Sequence, residues 1–204
     1  MFNCIKIFKY FIKINRFIKF LQYKFDFGFH FGVWLALDGV TDHSFKGATE
    51  DGFVGTAFYY ASVKKVAYAA SILGFSDEAV SYSGLANKIR EAFLDEYFTP
   101  QGRLAMDTQA AYIICLRFQL YHSKEKLIEG LYNRLKKDCY KIKCGFAAAP
   151  CMCTVLAENG MTELAYQFLL QEDFPGWLYA VILMFWYLMN PLMVLTRLCV
   201  DRFG

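Results

Sequence analysis

Apolar side chains recur every three or four positions through residues 40–173, and the strict alternation typical of β-strands is nearly absent. This spacing places the apolar groups on one face of a helix, where they need a partner to be buried. Local start and stop signals divide the stretch into six helices. We predict helix starts at Thr41-Asp42, at Ser76, near Asp107, at Ser123, in 149–159 and at Thr162, with Gly74 and Gly160 as C-terminal stops.

Short connections between these helices predict that consecutive helices pair antiparallel, as three hairpins. No single hairpin can bury both of its faces, which favours an α/α solenoid or toroid. A closed toroid of this kind uses six hairpins, and this chain supplies about half of them. The predicted fold class is therefore all-α: a partial (α/α)6 toroid of about three helical hairpins, with atypical N- and C-terminal helices. The uncovered faces of such a half-toroid predict self-association or aggregation.

The spacing also predicts which side chains of the first two helices point inward. The first helix carries an apolar, small-residue face made of Ala57, Tyr60, Ala61, Lys64, Val66, Ala67 and Ala70. The second helix directs Val80, Leu85, Ile89, Phe93 and Leu94 inward.

The N-terminal segment, residues 1–27, is basic and amphipathic: six Lys or Arg residues precede the first acid, Asp26. Such a helix could lie on an anionic membrane surface. Its composition also fits translation of A/T-rich DNA upstream of the true reading frame, and both interpretations stay open. Lysines interrupt the apolar residues, so a secretory signal peptide is not predicted. Because the net charge of +3 is concentrated here, a nucleic-acid partner is not implied.

Residues 174–196 carry no charge. At about 1.5 Å rise per residue, a helix of this length could span a membrane. A membrane anchor, a buried helix and an out-of-frame tail are the three interpretations, and the abrupt change of character near 180 favours the last.

The chain has seven cysteines, an odd number, mostly in apolar surroundings. This usage is typical of reduced thiols and predicts a cytoplasmic protein, or one attached to a membrane through its terminal segments. Cys139, Cys144, Cys151 and Cys153 match the spacing of no common zinc module. We expect them to be small buried hydrophobes, and we expect neither a metal nor a cofactor.

The segments between the predicted helices carry a family resemblance. "FHFGVWLALDGVTD" (29–42), "GRLAMDTQAAYIICLRFQL" (102–120) and "GFAAAPCMCTVLAENGMTELAYQFLLQEDFPGWLY" (145–179) resemble, in order and spacing, the catalytic domain of the α-L-rhamnosidases of glycoside hydrolase family 78. The resemblance covers 28–181 and leaves 1–27 and an apolar tail, 182–204, outside it. It implies an (α/α)6 toroid, hydrolysis of terminal α-L-rhamnose with inversion, and a rhamnose-containing carbohydrate as partner.

Inverting hydrolysis needs two facing carboxyl groups, an acid and a base. The resemblance places the acid in a loop before "FGVWLALD" and the base shortly after "PGWLY", yet no Asp or Glu stands between Asp173 and Asp201. Val33 replaces an Asp usual in the family, which would remove an acceptor from a sugar-facing loop. We therefore assign no catalytic residue and predict a rhamnosidase fragment that is inactive alone. The alternative is a non-enzymatic, membrane-attached helical protein.

Six residues are candidates for substrate binding. Trp34 and Trp177 could stack on a sugar face, or simply pack. Either carboxylate of the adjacent pair Glu172 and Asp173 could accept a sugar hydroxyl, although solvation at a helix end is the simpler interpretation. Asp107 could cap the third helix, and it or Gln109 could reach the cleft.

Overall fold

The computed structural model describes residues 32–39 and 47–177. Within these ranges the extended regular structure is helical, and Phe98 forms an isolated antiparallel β-bridge with Leu104. The helices are α1 (Asp51–Ile72), α2 (Ser76–Tyr97), α3 (Gln109–Phe118), α4 (Lys124–Lys137), α5 (Ala149–Glu158) and α6 (Thr162–Leu169).

The helices pack as three hairpins, α1 with α2, α3 with α4 and α5 with α6. Residues 73–75, 119–123 and 159–161 make the short connections inside the hairpins. The first helix of each hairpin also packs on the first helix of the next, α1 on α3 and α3 on α5. These contacts form one continuous row with α3 at its centre, where residues 109–116 are all buried. The all-α prediction and the three consecutive hairpins of a partial (α/α)6 toroid are confirmed.

An aromatic cluster joins α1 to α2 at the base of the first hairpin. The ring centroid of Phe53 lies 4.9 Å from that of Phe93 and 5.0 Å from that of Tyr97, and the angles are tilted or edge-on. Phe53 and Phe93 are fully buried. Burying rings of this size contributes about 2–3 kcal/mol each, so this cluster fixes the first hairpin.

Several local signals are confirmed. The Ser123 side chain accepts a hydrogen bond from the backbone N–H of Lys126 and caps α4. Gly74 and Gly160 follow α1 and α5 with φ of +78° and +79°, a conformation that glycine adopts without strain. The structure also has a turn at 99–103, which closes with a hydrogen bond from the Thr99 N–H to the Arg103 carbonyl, 2.8 Å long.

Several details of the prediction are wrong. The first helix begins at Asp51, not at Thr41-Asp42, since residues 47–50 are not helical. Thr108, not Asp107, caps α3, because its hydroxyl accepts from the N–H of Ala111. Val80, predicted to point inward, is 74% exposed.

Lys64, placed on the inward face of α1, is also exposed, and its ammonium reaches Gln119 Oε1 at 3.4 Å. The neighbouring face residues Ala57, Tyr60 and Ala70 are buried as predicted.

No helix in 32–39 and 47–177 is long and apolar enough to cross a membrane. The basic segment 1–27 and the tail 182–204 lie outside the described residues, and the interpretations given for them stay predictions.

Candidate functional site

The longer connections of the fold meet at one end of the hairpins. These are the residues before α1, the α2–α3 connection (98–108), the α4–α5 connection (138–148) and the residues after α6 (170–177). Since α1, α3 and α5 all begin at this end, side chains of different connections touch there: the hydroxyls of Thr49 and Thr108 are 2.7 Å apart. All six candidate binding residues stand on these segments or at the first position of α3.

A cavity of about 390 Å³ opens between three of these segments. Its lining is mostly apolar, and Lys143 is the one charged residue among the described residues that line it. No carboxylate is in that lining. Its lining also includes Leu35, Leu37, Gly145, Phe146, Phe174 and Trp177.

Two backbone hydrogen bonds fix the wall of the cavity. The N–H of Phe146 donates to the carbonyl of Trp34 at 2.7 Å, and the N–H of Leu37 donates to the carbonyl of Lys143 at 3.0 Å. They tie the 34–37 loop to the start of the α5 hairpin.

Gly145 permits this close approach. A Cβ at this position would overlap the Trp34 carbonyl oxygen and lie 2.5 Å from the Ala36 nitrogen. The tight turn holds Leu35 at φ +59°, a conformation that costs a non-glycine residue of the order of 1 kcal/mol. Such strain persists only where surrounding contacts impose it.

Val33 does not face the cavity. Its side chain is 1% exposed and belongs to the main hydrophobic core, while its carbonyl accepts the N–H of Gly47 at 2.9 Å. The burial of Val33 gives no support to a sugar contact at this position, and the effect of the missing Asp stays a prediction. Nearby, Asp38 Oδ1 accepts the N–H of Ala48 at 3.1 Å, and burial raises the pKa of this carboxyl.

Gln109 is fully buried and makes hydrogen bonds inside the protein. Its Nε2 donates to Asp138 Oδ2 at 2.7 Å and to the carbonyl of Lys141 at 2.8 Å. Its Oε1 accepts the backbone N–H of Lys143 at 3.0 Å. This position gives no support to direct contact with a sugar, which stays a prediction.

Asp138 anchors the same network. It is 3% exposed and accepts two hydrogen bonds from the Arg134 guanidinium, one turn earlier on α4. The Lys143 ammonium lies 3.3 Å from its Oδ1. Burial raises the pKa of Asp138, but the hydrogen bonds from Arg134 and Gln109 outweigh it and hold the pKa below its usual value. The sequence reasoning missed both Arg134 and Asp138.

Asp107 lies on the surface beside this network. Lys137 Nζ is 3.0 Å from its Oδ2, and the Tyr112 hydroxyl donates to its Oδ1 at 3.3 Å. Burial, with the negative charge of Asp107, raises the pKa of Tyr112 to about 12. Asp107 does not line the cavity, and its contact with substrate stays a prediction.

Of the two candidate tryptophans, Trp177 is among the residues that line the cavity. Its indole Nε1 is buried and has no hydrogen-bond partner among the described residues. Trp34 is not among the lining residues, and its carbonyl accepts the N–H of the lining residue Phe146. Glu172 is exposed, and Asp173 is also exposed, with its Oδ2 3.4 Å from Lys141 Nζ. Trp177 is thus the candidate that this geometry supports most directly.

The four clustered cysteines do not converge on one point. Cys144 is buried against Met152, with 3.7 Å between the sulfurs, and burial raises the pKa of its thiol. Cys151 and Cys153 are half-buried. Cys139 is exposed, so the expectation of a buried residue is wrong there. Within 32–39 and 47–177, no three His, Cys, Asp or Glu residues are grouped so that they could hold a metal ion.

Comparison with known proteins supplies the family. The family model of the bacterial α-L-rhamnosidase six-hairpin glycosidase domain matches residues 7–182. An α-L-rhamnosidase of Formosa agariphila is 31% identical over 140 residues, which cover 67% of this chain and 15% of that protein. The chain therefore spans about 15% of the length of this curated relative.

Solved structures agree with the sequence matches. The α-L-rhamnosidase of Aspergillus terreus superposes with a TM-score of 0.69 and 27% identity, covering 76% of this chain and 18% of that one. The Streptomyces avermitilis α-L-rhamnosidase, solved in complex with L-rhamnose, gives a TM-score of 0.63 and 29% identity over 74% of this chain and 14% of that one. The chain belongs to the bacterial α-L-rhamnosidase six-hairpin glycosidase domain family.

Proposed function

We propose that this chain is a segment of an α-L-rhamnosidase catalytic domain and that its apolar cavity forms part of the rhamnose-binding cleft. One observation carries the proposal. Residues 35 and 37 belong to one segment that resembles the family, residues 145, 146, 149 and 174–177 to another, and both sets help to line one cavity although they are far apart in sequence. Relatives that carry the same domain are α-L-rhamnosidases.

The chemistry of the cavity suits a deoxysugar. L-Rhamnose presents a methyl group and C–H bonds on one side and hydroxyls on the other. Apolar side chains such as Leu35, Phe146 and Trp177 can cover the former, as aromatic rings do in sugar sites. The Lys143 ammonium can supply a donor for a hydroxyl. A volume of about 390 Å³ is within the usual range for a small ligand.

The cavity supports binding better than catalysis. Inverting hydrolysis needs two carboxyl groups about 6.5–9.5 Å apart across the sugar. The described lining holds no carboxylate, and residues 174–200 contain no Asp or Glu. We therefore propose that hydrolysis depends on groups which this chain alone does not provide.

We expect the purified 204-residue chain to show no turnover of an aryl α-L-rhamnoside above the uncatalysed rate. The assay should include the Streptomyces avermitilis α-L-rhamnosidase as a positive control under the same conditions. Turnover that disappears on substitution of a carboxylate within 32–177 would overturn this part of the proposal.

Binding is the positive test. We expect the chain to bind L-rhamnose with a Kd on the order of millimolar, since a monosaccharide has few atoms to contribute. Trp177→Ala should weaken binding roughly fivefold, because an aromatic contact contributes about 1 kcal/mol. The matched control is Tyr68→Ala, which removes an aromatic ring that is 69% exposed on α1 and should leave Kd unchanged. Equal weakening in both variants, or none in Trp177→Ala, would contradict the assignment.

A further inference from the structure

We infer that Gln109 is a positioning residue: from inside the protein, it holds the backbone that forms the wall of the candidate rhamnose cavity. This inference rests on the proposed function for its biological meaning, but the positioning itself can be tested without any sugar. It assigns to Gln109 a role other than the direct sugar contact considered from the sequence.

The Gln109 side-chain amide makes hydrogen bonds to the backbone of the α4–α5 connection at two points. Nε2 donates to the carbonyl of Lys141 at 2.8 Å, and Oε1 accepts the N–H of Lys143 at 3.0 Å. A side-chain amide that pairs with one donor and one acceptor of the same segment acts like a neighbouring β-strand. It therefore fixes both the position and the direction of residues 141–143.

The Gln109 side chain is itself held in place by a hydrogen bond to Asp138. Its Nε2 also donates to Asp138 Oδ2 at 2.7 Å, and the Asp138 side chain is 1% exposed between Arg134 and Lys143. Gln109 stands at the first position of α3, the helix at the centre of the core. The amide therefore cannot rotate without leaving a buried carboxylate or a buried peptide group unpaired.

Further hydrogen bonds connect this ordered segment to the wall of the cavity. Gln109 holds the backbone N–H of Lys143, and the carbonyl of Lys143 accepts the N–H of Leu37. Three residues further along the chain, the N–H of Phe146 donates to the carbonyl of Trp34. Leu35, Leu37 and Phe146, which line the cavity, are therefore placed by a chain of hydrogen bonds that starts at Gln109. None of these bonds is needed for α3 to pack against α1.

The test uses Gln109→Met in the full chain, which keeps the length and volume of the side chain but removes its hydrogen bonds. Amide hydrogen exchange, measured by NMR, should become roughly tenfold faster or more at Leu37 and Phe146, since leaving buried peptide groups unpaired shifts the opening equilibrium by about that factor. The amide of Leu131, deep in α4, should keep its protection. L-Rhamnose binding should weaken in parallel.

Thr49→Val is the matched control. It removes a buried polar contact at the same end of the hairpins, the one to Thr108, without touching residues 141–146. We expect no selective change at Leu37 and Phe146. If Gln109→Met accelerates exchange at Leu131 as much as at Phe146, Gln109 has only a general packing role and the inference is overturned.

A second variant keeps the inference testable if Gln109→Met does not fold. In Gln109→Glu the introduced carboxylate faces Asp138, so at pH 7 repulsion should lower protection at Phe146. Near pH 4.5 the new carboxyl, its pKa raised by burial and by Asp138, should be protonated and donate to Asp138 again. Protection factors at Phe146 should recover there, whereas pH-independent factors would contradict the inference.

The two proposals can fail separately. If the unmodified chain binds no L-rhamnose but Gln109→Met selectively accelerates amide exchange at Leu37 and Phe146, the positioning inference stands and the proposed function fails. If the chain binds L-rhamnose and Gln109→Met changes neither exchange nor Kd, the positioning inference fails alone.

Discussion

Gly145→Ala is expected to reduce the free energy of unfolding by about 3 kcal/mol and to abolish measurable L-rhamnose binding. The added methyl group would meet three backbone atoms of residues 34–36, of which the Leu35 carbonyl carbon would be 2.9 Å away. Backbone cannot rotate away as a flexible side chain can, so either the 34–36 loop or the start of α5 must move. In either case the hydrogen bond from Phe146 to Trp34 is strained or lost. Urea unfolding and a rhamnose titration measure the two effects.

Gly84→Ala is the matched control for this substitution. Gly84 lies in the middle of α2, and a Cβ there would meet no heavy atom within 4 Å. Alanine should therefore stabilise the chain by about 0.5–1 kcal/mol through its higher helix propensity. A Gly145→Ala chain as stable as the Gly84→Ala chain would show that the close approach of 34–36 to residue 145 is not present in solution.

Asp138→Ala is expected to cost about 3 kcal/mol at pH 7. The substitution leaves the buried Gln109 without one acceptor and leaves Arg134 and Lys143 without the charge that they share. Both cations are partly exposed, with 23% and 35% of their side-chain area accessible. Water can therefore solvate them in the variant, so the loss in free energy of unfolding should lie at the lower end of the range for breaking a buried ion pair. Urea unfolding at several pH values is the appropriate measurement.

The pH dependence follows from the lowered pKa of Asp138. A carboxyl whose pKa is lower in the folded than in the unfolded chain contributes stability above its unfolded pKa. That contribution is lost as the pH falls through the folded pKa, which lies below the ordinary value of 3.8. The difference in stability between wild type and Asp138→Ala should thus be constant from about pH 5 to 8 and shrink below about pH 4.

Asp173→Ala is the control for a surface ion pair. Its partner Lys141 lies 3.4 Å away, but the Asp173 side chain is 87% exposed, so the loss should stay below about 0.5 kcal/mol. If Asp138→Ala behaved like Asp173→Ala, or if its effect grew at low pH, the anchoring role given to Asp138 would be wrong.

Local chemistry made much of this fold predictable. A hydroxyl at Ser123 and glycines at Gly74 and Gly160 end or begin helices through contacts within a few residues, and all three behave as expected. The start of α1 was not predictable in this way. Residues 47–50 bond to distant partners, such as Val33 and Thr108, and these contacts keep them out of the helix.

Periodicity identifies a helical face but not whether a partner covers it. Val80 lies on the apolar face of α2, yet it is 74% exposed because only α1 among the described helices packs on α2. The hairpin arrangement alone predicts that the long connections lie at one end of the fold. Because the candidate site is built from these connections, its location could be predicted as well. The Arg134–Asp138 pair has the spacing of one helical turn, a signal that sequence inspection could use.

The pairing of Asp138 with Gln109 could not be read from the sequence. The two residues are 29 positions apart and meet only because α3 packs on α4. The same holds for Gly145 and the 34–36 loop, whose contact depends on the packing of segments that are far apart in the sequence.

Mapping amide and indole NMR shifts during an L-rhamnose titration tests the central claim most directly. If the cavity among the longer connections binds the sugar, the largest chemical-shift changes should fall on the Trp177 indole and on the amides of Leu37 and Phe146. D-Rhamnose, the mirror image with identical bulk chemistry, should produce little change. Shifts of equal size with both enantiomers, shifts clustered elsewhere on the surface, or none at high sugar concentration would contradict the claim.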